Sequence, residues 1–211
     1  ILYLKKKEKE EISKIKNKYK YNYKVPKKFH NICGKTISTK LDLLNQIEKL
    51  KIKYDVYKTT NVHNSFVIKK ITSRKEKNFI YAGYGGIILK KNLLNIKKNF
   101  IHIHGGYLPN YKGSTTNYYS ILEEKLIGAS SIFMNSKIDS GPILQRYKFK
   151  MPSKKIDMDN FYDSLIRSVV LIRTLENYIK NKKWKFLSIK ERKENKFYII
   201  HPVLKHVAIL S

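Results

Sequence analysis

The sequence predicts an α/β fold: a mostly parallel, twisted, Rossmann-like sheet with flanking helices and a long C-terminal helix. Two observations carry this expectation. Apolar strand segments twice run straight into glycine, Asn78 to Ala82 into Gly83 and Asn99 to His104 into Gly105 and Gly106, with a short helical segment, Lys90 to Ile96, between them. Strand, glycine turn, helix and strand in that order is the rhythm of a parallel sheet whose ligand chemistry lies at the carboxyl ends of its strands. The second observation is Asp157 to Asn181, where Phe161, Leu165, Val169, Ile172, Leu175 and Ile179 recur at helical spacing and predict the longest helix, with a buried stripe.

The remaining elements follow from local signals. Ile1 to Leu4 reads as a short buried strand and Glu8 to Lys18 as a helix with Glu and Lys facing outward, whereas residues 19–36, with Pro26, Gly34 and no period, read as loop. Ser38 is placed to cap a helix whose Leu41, Leu44, Ile47 and Leu50 make one apolar face. Tyr54 to Tyr57 is a strand, and Asn64 or Ser65 opens a helix through Ile68 and Ile71. Further on come a helix from Thr116 to Glu124, a strand from Gly128 to Asn135, and Ile143 to Lys150, which alternates as an antiparallel or edge strand does. We expect one α/β domain over residues 1–182 and a short extension, 183–211, packed on it; the first residue is Ile1 rather than Met, which leaves the natural start open.

Composition narrows the function. The 211 residues are 42% hydrophobic, enough to bury a core, so disorder is excluded for most of the length. No apolar run reaches the roughly 18 residues of a membrane helix. A single cysteine, Cys33, excludes an intramolecular disulfide and a cysteine-rich zinc site, and fits a reducing, cytoplasmic location. The net charge of +29, from 45 Lys+Arg against 16 Asp+Glu, has two readings: an anionic partner, or compositional drift, since Lys, Asn, Ile and Tyr are abundant together. The lysines are spread from Lys5 to Lys205 rather than gathered into one arm, so a nucleic-acid partner is possible but not favoured. Neither G-x-G-x-x-G after the first strand nor G-x-x-x-x-G-K-[ST] occurs, which argues against a dinucleotide oxidoreductase and a P-loop enzyme. His30, His63, His201 and Cys33 have no partner legible in sequence and read as structural.

The chemically informative stretch is Ile101-His102-Ile103-His104-Gly105-Gly106-Tyr107-Leu108-Pro109-Asn110-Tyr111-Lys112-Gly113. Strand alternation puts His102 and His104 on one side at the strand's end, where glycines let a ligand approach the backbone. Two imidazoles on one face can be a metal pair, an acid/base centre or packing. H-x-H alone supplies no third ligand, and no metal is expected.

This stretch resembles the signature of the folate-dependent formyltransferases, in which a strand ending N-x-H continues through S-L-L-P-x-Y-x-G. Two further pieces fit in order: Ile138-Asp139-Ser140-Gly141-Pro142-Ile143-Leu144 resembles the family's L-D-T-G-x-I-L loop, and Tyr84-Gly85-Gly86-Ile87-Ile88 its Y-G-x-I-L turn. The resemblance covers about residues 78–150. It implies transfer of a formyl group from 10-formyltetrahydrofolate to an amine, through a tetrahedral intermediate whose oxyanion must be stabilised and whose nitrogen must lose a proton. By resemblance His104 is the acid/base or oxyanion partner, and Asp139 orients it and raises its pKa. Tyr84, Gly85, Gly86, Ile87 and Ile88, with Asn135, Ser136, Lys137 and Ile138, wrap the pterin, while Tyr107, Lys112, Ser114, Thr115 and Thr116 face the amine. The third catalytic position departs from the family: His102 stands where the family has asparagine, so an amide donor to the formyl oxygen becomes an imidazole that donates only in one tautomer.

The acceptor most in keeping with the resemblance is the primary amine of a nucleotide-linked amino sugar, of the kind used in surface polysaccharide assembly. Enzymes that formylate initiator methionyl-tRNA resemble the chain in the Gly-Ser-Thr-Thr region but carry a further C-terminal domain of about a hundred residues. A glycinamide ribonucleotide formyltransferase, a formyl-folate hydrolase and a basic RNA-binding relative with a weakened site remain alternatives, as does an oligomer.

Overall fold

The computed structural model describes residues 2–4, 31–32, 35–36, 43–83, 87–153, 156–189 and 196–211. The chain divides into two compact units, Ile1–Ser73 and Arg74–Ser211. The first holds β1 (Leu2–Leu4), β2 (Asn31–Ile32), β3 (Lys35–Thr36), α1 (Leu43–Lys49), β4 (Asp55–Tyr57) and α2 (Ser65–Ser73). β1 runs parallel to β4, and β2 pairs antiparallel with β3 inside the segment read as loop. Asn64 caps α2, its side-chain oxygen accepting from the Phe66 N–H at 3.0 Å, and the helix buries Val67 and Ile71. α1 buries Ile47, but it ends at Lys49, so Leu50 falls beyond the helix and is exposed rather than part of the apolar face. The expected helix from Glu8 to Lys18, the Ser38 cap and Cys33 lie outside the described residues.

The second unit holds β5 (Asn78–Tyr81), α3 (Lys91–Leu94), β6 (Asn99–His104), β7 (Lys112–Gly113), α4 (Thr116–Glu124), β8 (Leu126–Phe133), β9 (Ile143–Lys150), a π-helical turn (Met158–Tyr162), α5 (Asp163–Asn181), β10 (Lys196–Phe197) and α6 (Pro202–Leu210). Its main sheet has the order β5-β6-β8-β9. β5 and β6 are parallel, as the glycine-turn rhythm predicts, and β8 and β9 then join antiparallel. The reversal has a simple cause. His104, at the carboxyl end of β6, pairs with Ser130 midway along β8, so the chain re-enters the sheet at the end where it left and never crosses to the far one. β8 is buried over Ile127–Ile132 and packs against both α4 and α5, which makes it the spine of this unit. Among the described residues no helix is long and apolar enough to cross a membrane.

The long helix forms as predicted, but its buried stripe is displaced. Leu165, Ile166, Val170 and Thr174 face the core, whereas Phe161, Val169, Ile172 and Leu175 are half-buried and Ile179 is 61% exposed. A π-helical turn over Met158–Tyr162 precedes α5, so Phe161 is out of register with the face that the helix buries. Thr174 holds a core position because its hydroxyl donates to the Val170 carbonyl at 2.7 Å and bonds Ser131 Oγ at 2.8 Å, leaving nothing unsatisfied. Ile166→Ala is therefore expected to cost about 2–5 kcal/mol and Ile179→Ala less than about 0.5 kcal/mol in urea unfolding; equal losses would restore the stripe read from hydropathy.

Candidate functional site

β6 presents His102 and His104 to a cleft of about 680 Å³ at the carboxyl edge of the sheet. The turn after His104 is held by Ser130, fully buried in β8, which accepts from the Leu108 N–H at 3.0 Å and donates to the Gly106 carbonyl at 2.7 Å. Residue 106 must be glycine, because a Cβ there would lie 2.6 Å from His104 Nε2 and 2.7 Å from the Tyr111 carbonyl oxygen. That carbonyl is the partner of His104: Nε2–H donates to it at 2.7 Å, leaving Nδ1 to face Asp139 Oδ2 at 3.5 Å. Asp139 arrives from the β8–β9 connection, where it adopts a positive φ of 46°. Asn135 shapes this connection, donating to the Ser140 carbonyl at 3.2 Å and accepting from the Lys137 N–H at 2.9 Å. Asp139 Oδ2 also accepts from the Gly113 N–H at 2.9 Å.

His102 is held in turn by main chain, with Nδ1 against the Tyr81 carbonyl oxygen at 3.3 Å. A carbonyl only accepts, so Nδ1 carries the hydrogen and Nε2 of the neutral ring is a lone pair. One donor atom of each of His102, His104 and Asp139 lies within 4.8 Å of the other two. Burial lowers the pKa of His104 and outweighs the upward pull of Asp139 and the Tyr111 carbonyl, so the expectation that Asp139 raises it is reversed in the net. His102 is lowered too, first by burial, against the Tyr81 carbonyl and with His104 adding to the drop.

The opposite wall comes from the end of the chain. β10 lies parallel to β7, the Phe197 carbonyl accepts from the Ser114 N–H at 2.9 Å, and Thr115 Oγ1 accepts from the Ile200 N–H at 2.9 Å. Gly113 takes a φ of 107° and lies flush against the Phe197 backbone, and the Phe197 ring packs on Tyr111 and Tyr119 with centroids 5.4 and 4.6 Å apart. A polar line from α5 and the turn before it completes the floor: Asp159 accepts from Tyr118 Oη at 2.5 Å and pairs with Lys205, and Asp163 accepts from Asn117 Nδ2 at 3.1 Å and pairs with Arg167. Tyr81 Oη and Arg167 Nε, both in the lining, are buried with no hydrogen-bond partner among the described residues.

Of the residues assigned by resemblance, His102, His104, Asp139, Ile87, Ile88, Asn135, Lys137, Ile138, Ser114, Thr115 and Thr116 all line this one cleft. Ser136 is exposed and outside the lining, and Tyr84, Gly85 and Gly86 lie outside the described residues. Tyr107 and Lys112 are also outside the lining. Tyr107 turns to β9, with its ring 4.4 Å from the Arg146 guanidinium and 5.1 Å from Lys148 Nζ, and Lys112 is buried within β7. The sequence reading did not foresee Asp159, Asp163, Arg167 or Lys196 to Ile199 in the lining. The first three, four residues apart, form a polar row in an otherwise amphipathic stretch, which is a legible signal. His201 is structural as expected, its Nδ1 accepting from the Val203 N–H at 3.3 Å to cap α6.

Comparison with known proteins places this chain in a family. The formyl transferase family model matches residues 6–165, and the chain belongs to that family. It is 32% identical over 138 residues to a bifunctional polymyxin resistance protein ArnA of Wigglesworthia glossinidia brevipalpis, covering 64% of this chain and 21% of that protein. It is 26% identical over 165 residues to a methionyl-tRNA formyltransferase of Finegoldia magna, covering 77% of this chain and 52% of that one. The chain thus spans about half or less of the curated relatives it matches. Its fold is similar to the crystal structure of the formyltransferase PseJ from Anoxybacillus kamchatkensis, in complex with UDP-4,6-dideoxy-4-formamido-L-AltNAc and tetrahydrofolate: TM-score 0.52, 19% identity, 74% of this chain and 79% of that one.

Because both histidines hold protons less readily folded than unfolded, their contribution to stability is fully present above about pH 6.5, the ordinary histidine value, and is lost as pH falls through the lower folded values. Thermal melting is expected to drop as the pH is taken below about 6.5, and to drop less in His102→Asn; a wild-type melting temperature flat across that range would contradict the burial of neutral imidazoles.

Proposed function

We propose that the chain transfers a formyl group from 10-formyltetrahydrofolate to the primary amine of a nucleotide-linked amino sugar. The observation that carries this reading is the contact between His104 and Asp139 at the base of the cleft. When bound, the folate supplies a formyl carbon to an attacking amine, and the carbonyl oxygen becomes an oxyanion while the new C–N bond forms. His104 Nδ1 and Asp139 Oδ2, two acceptors facing each other at 3.5 Å, make a seat for an amine N–H. His104 takes the proton that the nitrogen loses and returns it to the departing folate nitrogen, and Asp139 stabilises the imidazolium between these events. His102 in its neutral form turns a lone pair, not a donor, toward the site, so it is a weaker oxyanion partner than an amide.

Three features support a small amine over a polyanion. The cleft volume falls in the range of small-molecule sites, about 300–1,000 Å³. Its lining balances Lys137, Arg167 and Lys196 against Asp139, Asp159 and Asp163, although the chain as a whole carries +29. The buried, unpartnered Tyr81 Oη and Arg167 Nε await a ligand's polar atoms.

The test is incubation with 10-formyltetrahydrofolate and a panel of nucleotide-linked amino sugars, with initiator methionyl-tRNA and an acceptor-free control beside it, following the mass of an added formyl group. Formylation of a sugar amine is expected; formylation of the tRNA alone, or release of formate without an acceptor, would replace this reading with a tRNA enzyme or a hydrolase. In the same assay His104→Ala is expected to lower turnover by about 10²–10⁴-fold with folding intact, and an unchanged rate would remove the residue from the mechanism. His102→Asn, which restores an amide donor, should raise turnover, by up to about 10²-fold given what one oxyanion donor contributes. A large loss there would show that the imidazole has its own role.

A further inference from the structure

We propose that His102, His104 and Asp139 form a zinc-binding site, with the cleft leaving the fourth coordination position open. The sequence showed only H-x-H; the fold supplies the missing ligand by carrying Asp139 from the β8–β9 connection to the end of β6. Zinc sites of this class take imidazole nitrogens and carboxylate oxygens at about 2.0–2.2 Å, which in a tetrahedron sets donor atoms about 3.4 Å apart. His104 Nδ1 and Asp139 Oδ2 are 3.5 Å apart, and a ring nitrogen of each histidine and an Asp139 carboxylate oxygen all lie within 4.8 Å of one another.

The hydrogen bonds around the trio are those of ligands already oriented. Metal-bound histidine directs its other ring nitrogen as a donor to a carbonyl or carboxylate, which fixes the tautomer and turns the lone pair to the ion. Here His104 spends Nε2–H on the Tyr111 carbonyl at 2.7 Å, and His102 spends Nδ1–H on the Tyr81 carbonyl at 3.3 Å. Asp139 is steadied by the Gly113 N–H at 2.9 Å. In this tautomer His104 Nδ1 and Asp139 Oδ2 are two lone-pair donors facing each other without a hydrogen between them, an arrangement that a positive ion relieves. With asparagine at position 102, as in the family's N-x-H, one imidazole would be missing, so the site is a property of this chain's departure from that pattern. Zinc would occupy the seat assigned above to the substrate amine, so that zinc and formyl transfer exclude one another; this last clause alone rests on the proposed function.

Calorimetric titration of the full chain with zinc chloride tests the site without reference to catalysis. One zinc ion per chain is expected, with affinity reduced at least about tenfold in His102→Asn and in Asp139→Asn. Cobalt(II) in place of zinc should show the visible absorption of a four-coordinate ion in the wild type and lose it in both variants. If one variant fails to fold, by thermal melting, the other decides. No stoichiometric binding, or binding unchanged in a folded variant, would overturn the site. Zinc binding with no inhibition of an established formyl transfer would overturn only the exclusion, and inhibition that persists in His102→Asn would mean that zinc acts elsewhere.

Discussion

The bond from His104 Nε2–H to the Tyr111 carbonyl decides what this cleft can do. A buried imidazole with one nitrogen committed to main chain has a single nitrogen left for chemistry, and the fold chooses which. For that bond to form, the turn from residue 105 to residue 111 must bring its own carbonyl back over the strand it has just left. Gly106 permits the close approach, and Ser130 pins the turn to β8 through one accepted and one donated hydrogen bond. Two serines at the centre of an apolar strand, Ser130 and Ser131, look like a defect in the core. Each is instead a hydrogen-bonded junction, one to the turn after β6 and one to α5 through Thr174.

Much of the fold was legible because its signals are local. β6, α4 and β9 fall on the boundaries that alternation, apolar runs and flanking turn residues predict. The buried face of α5 was not legible, since hydropathy does not place Thr174 in a core and a buried threonine is acceptable only when its hydrogen-bond partners are known. The His104–Asp139 pairing could be read by resemblance across thirty-odd intervening residues because both loops carry recognisable glycines. Its electrostatic outcome could not. The motif tells which charge is nearby, whereas the net direction of the His104 pKa depends on how completely the assembled elements exclude water, and burial prevailed.

The cleft is also a reminder that chain-wide charge and local charge are separate quantities. A protein with 45 basic residues places a mixed set around its deepest groups, with carboxylates on α5 and in the β8–β9 connection answering the arginine and lysines beside them.

Phe197 and its neighbours return from more than eighty positions away to stand beside Gly113 and Thr115. The cleft is thereby lined from two distant parts of the sequence: the end of β6 with the β8–β9 connection supplies His102, His104 and Asp139, and Lys196 to Ile199 supply the facing wall. Tyr198 and Ile199, both largely open to solvent, can therefore be exchanged to reshape that wall while the His104–Asp139 contact stays in place.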